Sequence, residues 1–439
     1  MQLAKGGKQA VVVERYGQVG GGCTHWNTIP SKALRFAIYQ VTEALHNPLL
    51  KRLEFTADFT LGELRKRTAS IIAEQESMRR GFYRRNRVPV YFGEAQFLDR
   101  HHLQVDREYQ IQFEQALIAT GSRPYRPPDI DFERPGIYDS DTILNLEEMP
   151  RTLTVYGAGV VGCEYASMFR NLNVKINLVN TRARLLDFLD DEISDALSYH
   201  MREQGVLIRH NEQFMSIDYR DDSLVLELES GKQLKSDALL WANGRTGNSD
   251  RLSLEKVDLA PDRRGYLPVR EFGQTAADHI YAAGDVVGFP SLASAAYTQG
   301  RSAAAHILGL QLVNDLGKQI PSGIYTSPEI SSVGKTEREL TADKIPYEVG
   351  HVQFKDLARA QITGRKTGML KLLFDPDSLA LLGVHCFGPN ASEIIHIGHA
   401  VMCNPAGGNS IEYFINTTFN YPTMAEAYRV AALNGFNRL

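Results

Sequence analysis

The 439-residue sequence has little cysteine, no excess of charge of either sign and no long apolar run. Its four cysteines, Cys23, Cys163, Cys386 and Cys403, lie too far apart for a disulfide framework or a zinc site. Sparse, separated thiols fit a reducing compartment, so a cytoplasmic location is expected. Lys plus Arg number 48 and Asp plus Glu 52, giving a net charge of −4. With no dominant basic segment, nucleic acid is not an expected partner. The basic run from Arg79 to Arg87 reads as a solvated helix face and its exit. No stretch of about 18 apolar residues occurs, so no membrane span is expected. Low-complexity segments are also lacking, and the length suits two or three domains.

What is present is a complete dinucleotide unit. Thr152-Leu153-Thr154-Val155-Tyr156 is a short β-rich run, followed at once by Gly157-Ala158-Gly159-Val160-Val161-Gly162. A helical stretch from Cys163 to Arg170 comes next, then a second strand-like run, Val174 to Val179. Strand, G-x-G-x-x-G, helix and strand stand in the order that binds a pyrophosphate. The glycines allow a tight turn and close backbone approach. The helix N-terminus offers N–H groups and a partial positive charge. Gly157, Gly159 and Gly162 are therefore candidate nucleotide-binding residues.

The end of the second strand selects the nucleotide. A site for NAD alone usually carries Asp or Glu there, whereas this sequence has Asn180, then Thr181-Arg182-Ala183-Arg184. An amide bonds a ribose hydroxyl without repelling a phosphate, and Arg182 or Arg184 offers a charge-assisted fork to a 2′-phosphate. Use of both NAD and NADP is expected. Near the start, Gln9 to Glu14 reads as a buried strand ending in an acid, so Glu14 is placed to hold an adenosine ribose. The strand and glycine turn that normally precede such an element are not in the sequence. Met1 is therefore expected to be an internal methionine of a longer native chain, and the 439 residues alone are expected to bind a dinucleotide weakly at this first unit.

The segment Gly20-Gly21-Gly22-Cys23-Thr24-His25-Trp26-Asn27-Thr28-Ile29-Pro30-Ser31-Lys32 resembles the redox-disulfide segment of the flavoprotein disulfide reductases, with Thr28 at the second cysteine position. Ala119 to Pro124, Ala242 to Asn248 and Ile280 to Asp285 resemble, in order, that family's first flavin turn, the turn closing its nicotinamide domain and its second flavin segment. Tyr421-Pro422-Thr423-Met424-Ala425-Glu426 resembles the H-P-T-x-x-E pattern, with Tyr421 in place of the proton-handling histidine. A phenol near pKa 10 is a poor base at neutral pH. His25 and His396 are read as packing or surface residues. Both ends of the dithiol machinery are thus altered.

The resemblance implies an α/β fold with two Rossmann-like dinucleotide-binding domains, for FAD and NAD(P), and a C-terminal α/β dimerisation domain. The expected divisions are 1–147 and 265–317 for FAD, 148–264 for NAD(P), and 318–439 for the dimer. Implied FAD contacts are Glu14, Gly22, Cys23, Lys32, Gly121 and Asp285, the last on the ribityl chain. Implied NAD(P) contacts are Gly157, Gly159, Gly162, Asn180, Arg182, Arg184 and Gly244. Lys32, near the flavin N5, and its partner Glu164 are the implied catalytic pair, and no metal is implied. The implied reaction is hydride transfer between NADPH and NAD+ through FAD, an NAD(P)+ transhydrogenase activity with ping-pong kinetics in a homodimer or larger homo-oligomer. The alternatives are a dihydrolipoamide-dehydrogenase-like or other disulfide reductase, and an inactive nucleotide-binding, dimerising protein.

Overall fold

The computed structural model describes residues 1–52, 60–220, 223–310, 319–404 and 408–439. It divides into two compact units. The first comprises Met1–Glu133, Tyr138–Met149 and Asn243–Lys318; the second comprises Arg134–Ile137, Pro150–Ala242 and Gln319–Leu439. The expected division at 317/318 lies outside the described residues.

In the first unit, strand Val12–Glu14 pairs in parallel with Val90–Phe92. Strand Ala116–Ile118 pairs in parallel with Ile280–Ala282, far along the sequence. An antiparallel meander follows Ala95–Asp99, His102–Val105 and Tyr109–Gln112. Phe97, Ile118, Val257, Leu267, Ile280 and Val286 form its core. The stretch from Thr60 to Arg85, with apolar residues at Leu61, Leu64, Ile71, Ile72, Met78 and Phe82, forms one helix, Leu61–Arg85. Thr60 and Glu63 close its N-terminus as a capping box, and Arg84 and Arg85 complement its last turn. Of those apolar residues, Leu61 and Leu64 are buried, whereas Met78 is exposed. This helix packs on the helix Thr28–His46.

The second unit begins with a parallel sheet in the order Leu207–Arg209, Lys175–Val179, Thr152–Tyr156, Ala238–Trp241. Its inner strands are buried along nearly their whole length, the polar Thr154 and Asn177 included, as expected of a parallel sheet covered on both faces. Helices Val160–Asn171 and Asp191–Glu203 supply the crossovers. An antiparallel sheet of Phe214–Arg220, Ser223–Leu228 and Gln233–Ser236 is inserted before the fourth strand. The C-terminal part is a five-stranded antiparallel sheet in the order Ser322–Ile324, Ile330–Gly334, Leu381–Phe387, Met369–Phe374, Glu348–Gln353. Helices Ala391–Met402 and Glu426–Phe436 cover it, around Phe354, Leu370, Leu372, Phe374, Val384 and Tyr428.

Strand Met369–Phe374 is buried at all six positions, and one of them is Lys371. Its ammonium meets Asp190 at 2.9 Å, Glu192 at 2.7 Å and Glu337. The three carboxylates have the spacing of a cation site, and the cation there is the lysine. Burial opposes charge on Lys371, but its carboxylate partners outweigh it and raise the pKa. Burial likewise opposes charge on Asp190, while His385 and Lys371 bring its net shift downward. Among the described residues, no helix is long and apolar enough to cross a membrane.

Candidate nucleotide-binding and redox site

The Gly157–Gly162 turn joins strand Thr152–Tyr156 to helix Val160–Asn171. Gly157 has φ +107°, in the region that favours glycine. A Cβ on Gly162 would lie 1.8 Å from the Gly157 carbonyl oxygen, so only glycine lets helix and strand approach this closely. Gly159 is the N-cap, makes no side-chain capping bond, and faces open space where a Cβ would stand. An uncapped helix N-terminus behind an open cradle is suited to a pyrophosphate. Glu164, in the same helix, is buried and accepts a hydrogen bond from the Tyr325 N–H at 2.8 Å through Oε1.

Asn180 is placed differently from the simple expectation that its amide faces a ribose. It is only 3% exposed. Its Nδ2 donates to the Arg184 carbonyl at 2.8 Å and lies 3.0 Å from His210 Nδ1. Its Oδ1 accepts from the Arg182 N–H at 3.2 Å. The amide therefore braces its own loop. Arg182 pairs with Asp187, and Arg184 with Asp191 at 2.5 Å, both on the surface. His210 carried no sequence signal, since it lies one strand further along and reaches Asn180 only through parallel pairing.

In the first unit, three turns distant in sequence come together. Gly121, with φ +73°, leads into Ser122, whose Oγ donates to Asp285 Oδ2 at 2.9 Å. Arg245 donates to the Ser122 Oγ at 2.7 Å and to its carbonyl at 2.8 Å. Gly244, the residue before it, has φ +101° and belongs to this first unit. Asp285 sits in the short helix Gly284–Val287, and the Gly284 N–H donates to Gln299 Oε1 at 2.8 Å. Asp141 lies 3.9 Å from Arg245. Burial drives the Asp141 carboxyl up to about 6, against the opposing pull of that guanidinium. Asn27, with its amide turned to donate to Asp141 at 2.9 Å and accept from Arg245 at 3.3 Å, ties this network to the N-cap of the helix that carries Lys32. Sequence reasoning passed over Asn27, Asp141 and Arg245 as site residues; Asn27 and Arg245 stood inside quoted motifs, and Asp141 had no local signal.

Cys23 lies in the short helix Gly21–His25, half-buried and free. Thr28 is the first residue of the next helix. Gly22 stands beside Cys23, Gly20 has φ +124°, and Thr24 Oγ1 is buried without a hydrogen-bond partner. Lys32 is half-buried on Thr28–His46. Glu14 ends its strand and accepts from the Tyr16 N–H at 3.1 Å. Burial pushes the Glu14 carboxyl up, with that N–H working against it. His25 is used in packing, with Nε2 3.0 Å from the Val19 carbonyl. Tyr421 is 66% exposed, while Glu426 pairs with Arg429.

These elements define a pyridine-nucleotide-binding α/β oxidoreductase, and the comparisons agree. The chain belongs to the pyridine nucleotide-disulphide oxidoreductase family: residues 1–300 match that family's model, and residues 320–432 match its dimerisation domain. It is 56% identical to the soluble pyridine nucleotide transhydrogenase of Serratia proteamaculans (strain 568), over 100% of this chain and 95% of that protein. Identity and coverage are the same for the transhydrogenase of Klebsiella pneumoniae subsp. pneumoniae. Among solved structures, the HOCl-induced flavoprotein disulfide reductase RclA from Escherichia coli superimposes with a TM-score of 0.87 at 27% identity, covering 98% of this chain and 95% of that one. LpdA from Mycobacterium tuberculosis shares the fold, with a TM-score of 0.89 at 24% identity over 98% of this chain and 96% of its own.

Proposed function

We propose that this protein is an NAD(P)+ transhydrogenase that moves a hydride between NADPH and NAD+ by way of FAD, without a redox disulfide. The observation that carries this reading is Thr28 in the position where the reductase pattern has its second cysteine. Cys23 is a free thiol. Cys163 and Cys386 are fully buried, and burial raises both thiols far above the range of a nucleophile. The relatives named above, similar over the whole chain, are soluble pyridine nucleotide transhydrogenases.

The residues fit the two cofactors. The open, uncapped Gly157–Gly162 turn suits the pyrophosphate of NAD(P), and Arg182 and Arg184 suit a 2′-phosphate. Glu14 suits the FAD ribose, and Asp285, held by Ser122 and through it by Arg245, suits the ribityl hydroxyls. Bound FAD supplies a two-electron carrier that accepts a hydride from one nicotinamide and yields it to another. The chain's task is then alignment and exclusion of water. Lys32, Gly22, Cys23 and Gly121 are assigned to the flavin, and Gly244 to the nucleotide. Lys32 contributes positive charge that favours the reduced ring, and Glu164 orients it. One nicotinamide unit serving donor and acceptor in turn gives a ping-pong scheme. The expected domain divisions are retained as part of this reading, as are a homodimer and a cytoplasmic location.

The test is steady-state transfer from NADPH to thio-NAD+ by the purified protein. Parallel double-reciprocal lines, and full turnover by Cys23→Ser, are expected. Intersecting lines would overturn the shared site, and loss of turnover in Cys23→Ser with flavin retained would overturn thiol-free transfer. Resemblance to RclA supports a second reading, a disulfide reductase; turnover of lipoamide or glutathione disulfide would establish it instead.

A further inference from the structure

We propose that His210 is a positioning residue that sets the preference for a 2′-phosphorylated nucleotide: its Nδ1 lone pair fixes the Asn180 amide, and that amide fixes the backbone carrying Arg182 and Arg184. This rests on the reading that the loop from Asn180 to Arg184 meets the adenosine end of NAD(P).

The hydrogen-bond inventory of Asn180 leaves one consistent arrangement. An amide nitrogen only donates, and both of its hydrogens are used, one on the Arg184 carbonyl at 2.8 Å and one toward His210 Nδ1 at 3.0 Å. His210 Nδ1 is therefore the acceptor, and its ring proton stays on Nε2. Turning the amide over would set Oδ1 against the Arg184 carbonyl and strip the Arg182 N–H of its acceptor. A protonated His210 would face N–H with N–H. Burial and the nearby Arg202 both depress the His210 pKa and so favour the neutral acceptor form, outweighing a hydrogen bond to the Arg182 backbone that pulls the other way.

His210 is itself held by main chain. The Asn180 N–H donates to the Arg209 carbonyl at 2.7 Å, the Asn211 N–H to the Arg182 carbonyl at 3.2 Å, and the Glu212 N–H to the Asn180 carbonyl at 3.2 Å. The two loops are stitched on both sides of His210, so its backbone keeps a fixed place beside the amide. The result is a rigid loop with both arginines at the surface, Arg182 66% and Arg184 45% exposed. Their partners Asp187 and Asp191 form exposed pairs of small net worth, which a doubly charged phosphate displaces at little cost.

The experiment measures dissociation constants of 2′,5′-ADP and 5′-AMP by calorimetry on wild type, His210→Phe, His210→Ala and His210→Asn, with kcat and KM for NADPH and NADH alongside. Phenylalanine keeps the ring's packing without the acceptor, and asparagine returns an acceptor near the Nδ1 position. His210→Phe and His210→Ala are expected to lose about tenfold in affinity for 2′,5′-ADP, the scale of one hydrogen bond in a loop, with 5′-AMP changed less than about twofold. KM for NADPH should rise in step while kcat holds, and His210→Asn should recover most of the loss. An unchanged 2′,5′-ADP to 5′-AMP ratio in either acceptor-free variant that folds overturns the role of His210. So does equal loss for both ligands, which a collapsed loop would give. A wild type that binds the two ligands equally overturns the dual-nucleotide reading, and this proposal with it.

Discussion

Asp141 shows how one half-buried carboxyl sets a pH dependence opposite to the usual one. Its folded pKa is about 6, against about 3.9 in an unfolded chain. The folded state therefore binds the proton more tightly, and this group's contribution to stability is present at low pH and lost as pH rises through 6. Asp141→Asn removes the charge while keeping the shape. It is expected to melt at or above the wild-type temperature at pH 7.5, with the gap closing by pH 5. A variant clearly less stable at pH 7.5 would mean that the ionised Asp141–Arg245 pair is a net gain. The residue scale is also where the sequence was least legible. Glycines at Gly157 and Gly162 announce themselves because backbone sterics admit nothing else. Asn180 was readable as a polar residue at the strand end, but not as a side chain turned inward, because its amide meets His210 on a neighbouring strand's exit.

At the scale of elements, the Gly157–Gly162 turn and the Lys371 cluster make separable predictions. Gly162→Ala drives a methyl into the Gly157 carbonyl and should destabilise the second unit outright. Gly159→Ala meets no protein atom, so it should fold normally yet raise the NADPH dissociation constant at least about tenfold, by occupying the space of the pyrophosphate. Equal effects on melting and on binding in both variants would contradict that division. Lys371→Met leaves Asp190, Glu192 and Glu337 facing one another without their cation. A loss of about 3–5 kcal/mol is expected in urea unfolding, partly restored by adding Asp190→Asn. Strands, turn and crossover of the dinucleotide unit were legible because each signal is local. Lys371 was not: it interrupts an otherwise apolar strand, and its partner Asp190 lies far away along the chain.

For the whole molecule, the match to a dimerisation domain over residues 320–432 predicts a two-chain particle. Large side chains exposed on that part of the chain, among them Ile362, Tyr413 and Tyr421, are surface that a partner copy would bury. Sedimentation equilibrium across micromolar concentrations should return at least twice the monomer mass; a monomer throughout would contradict the expectation. The α/β class and the order of functional segments were visible in the sequence. That the turn at Gly244 folds with the first unit was not, because compactness is decided by contacts between distant segments.

The parallel ladder between Ala116–Ile118 and Ile280–Ala282 bears on biosynthesis. The earlier strand leaves the ribosome about 160 residues ahead of its mate, a wait of roughly 10–30 s at ordinary elongation speeds. Throughout that interval it presents an unzipped edge to solvent. Slowing translation between these strands would lengthen the exposure of that edge to aggregation.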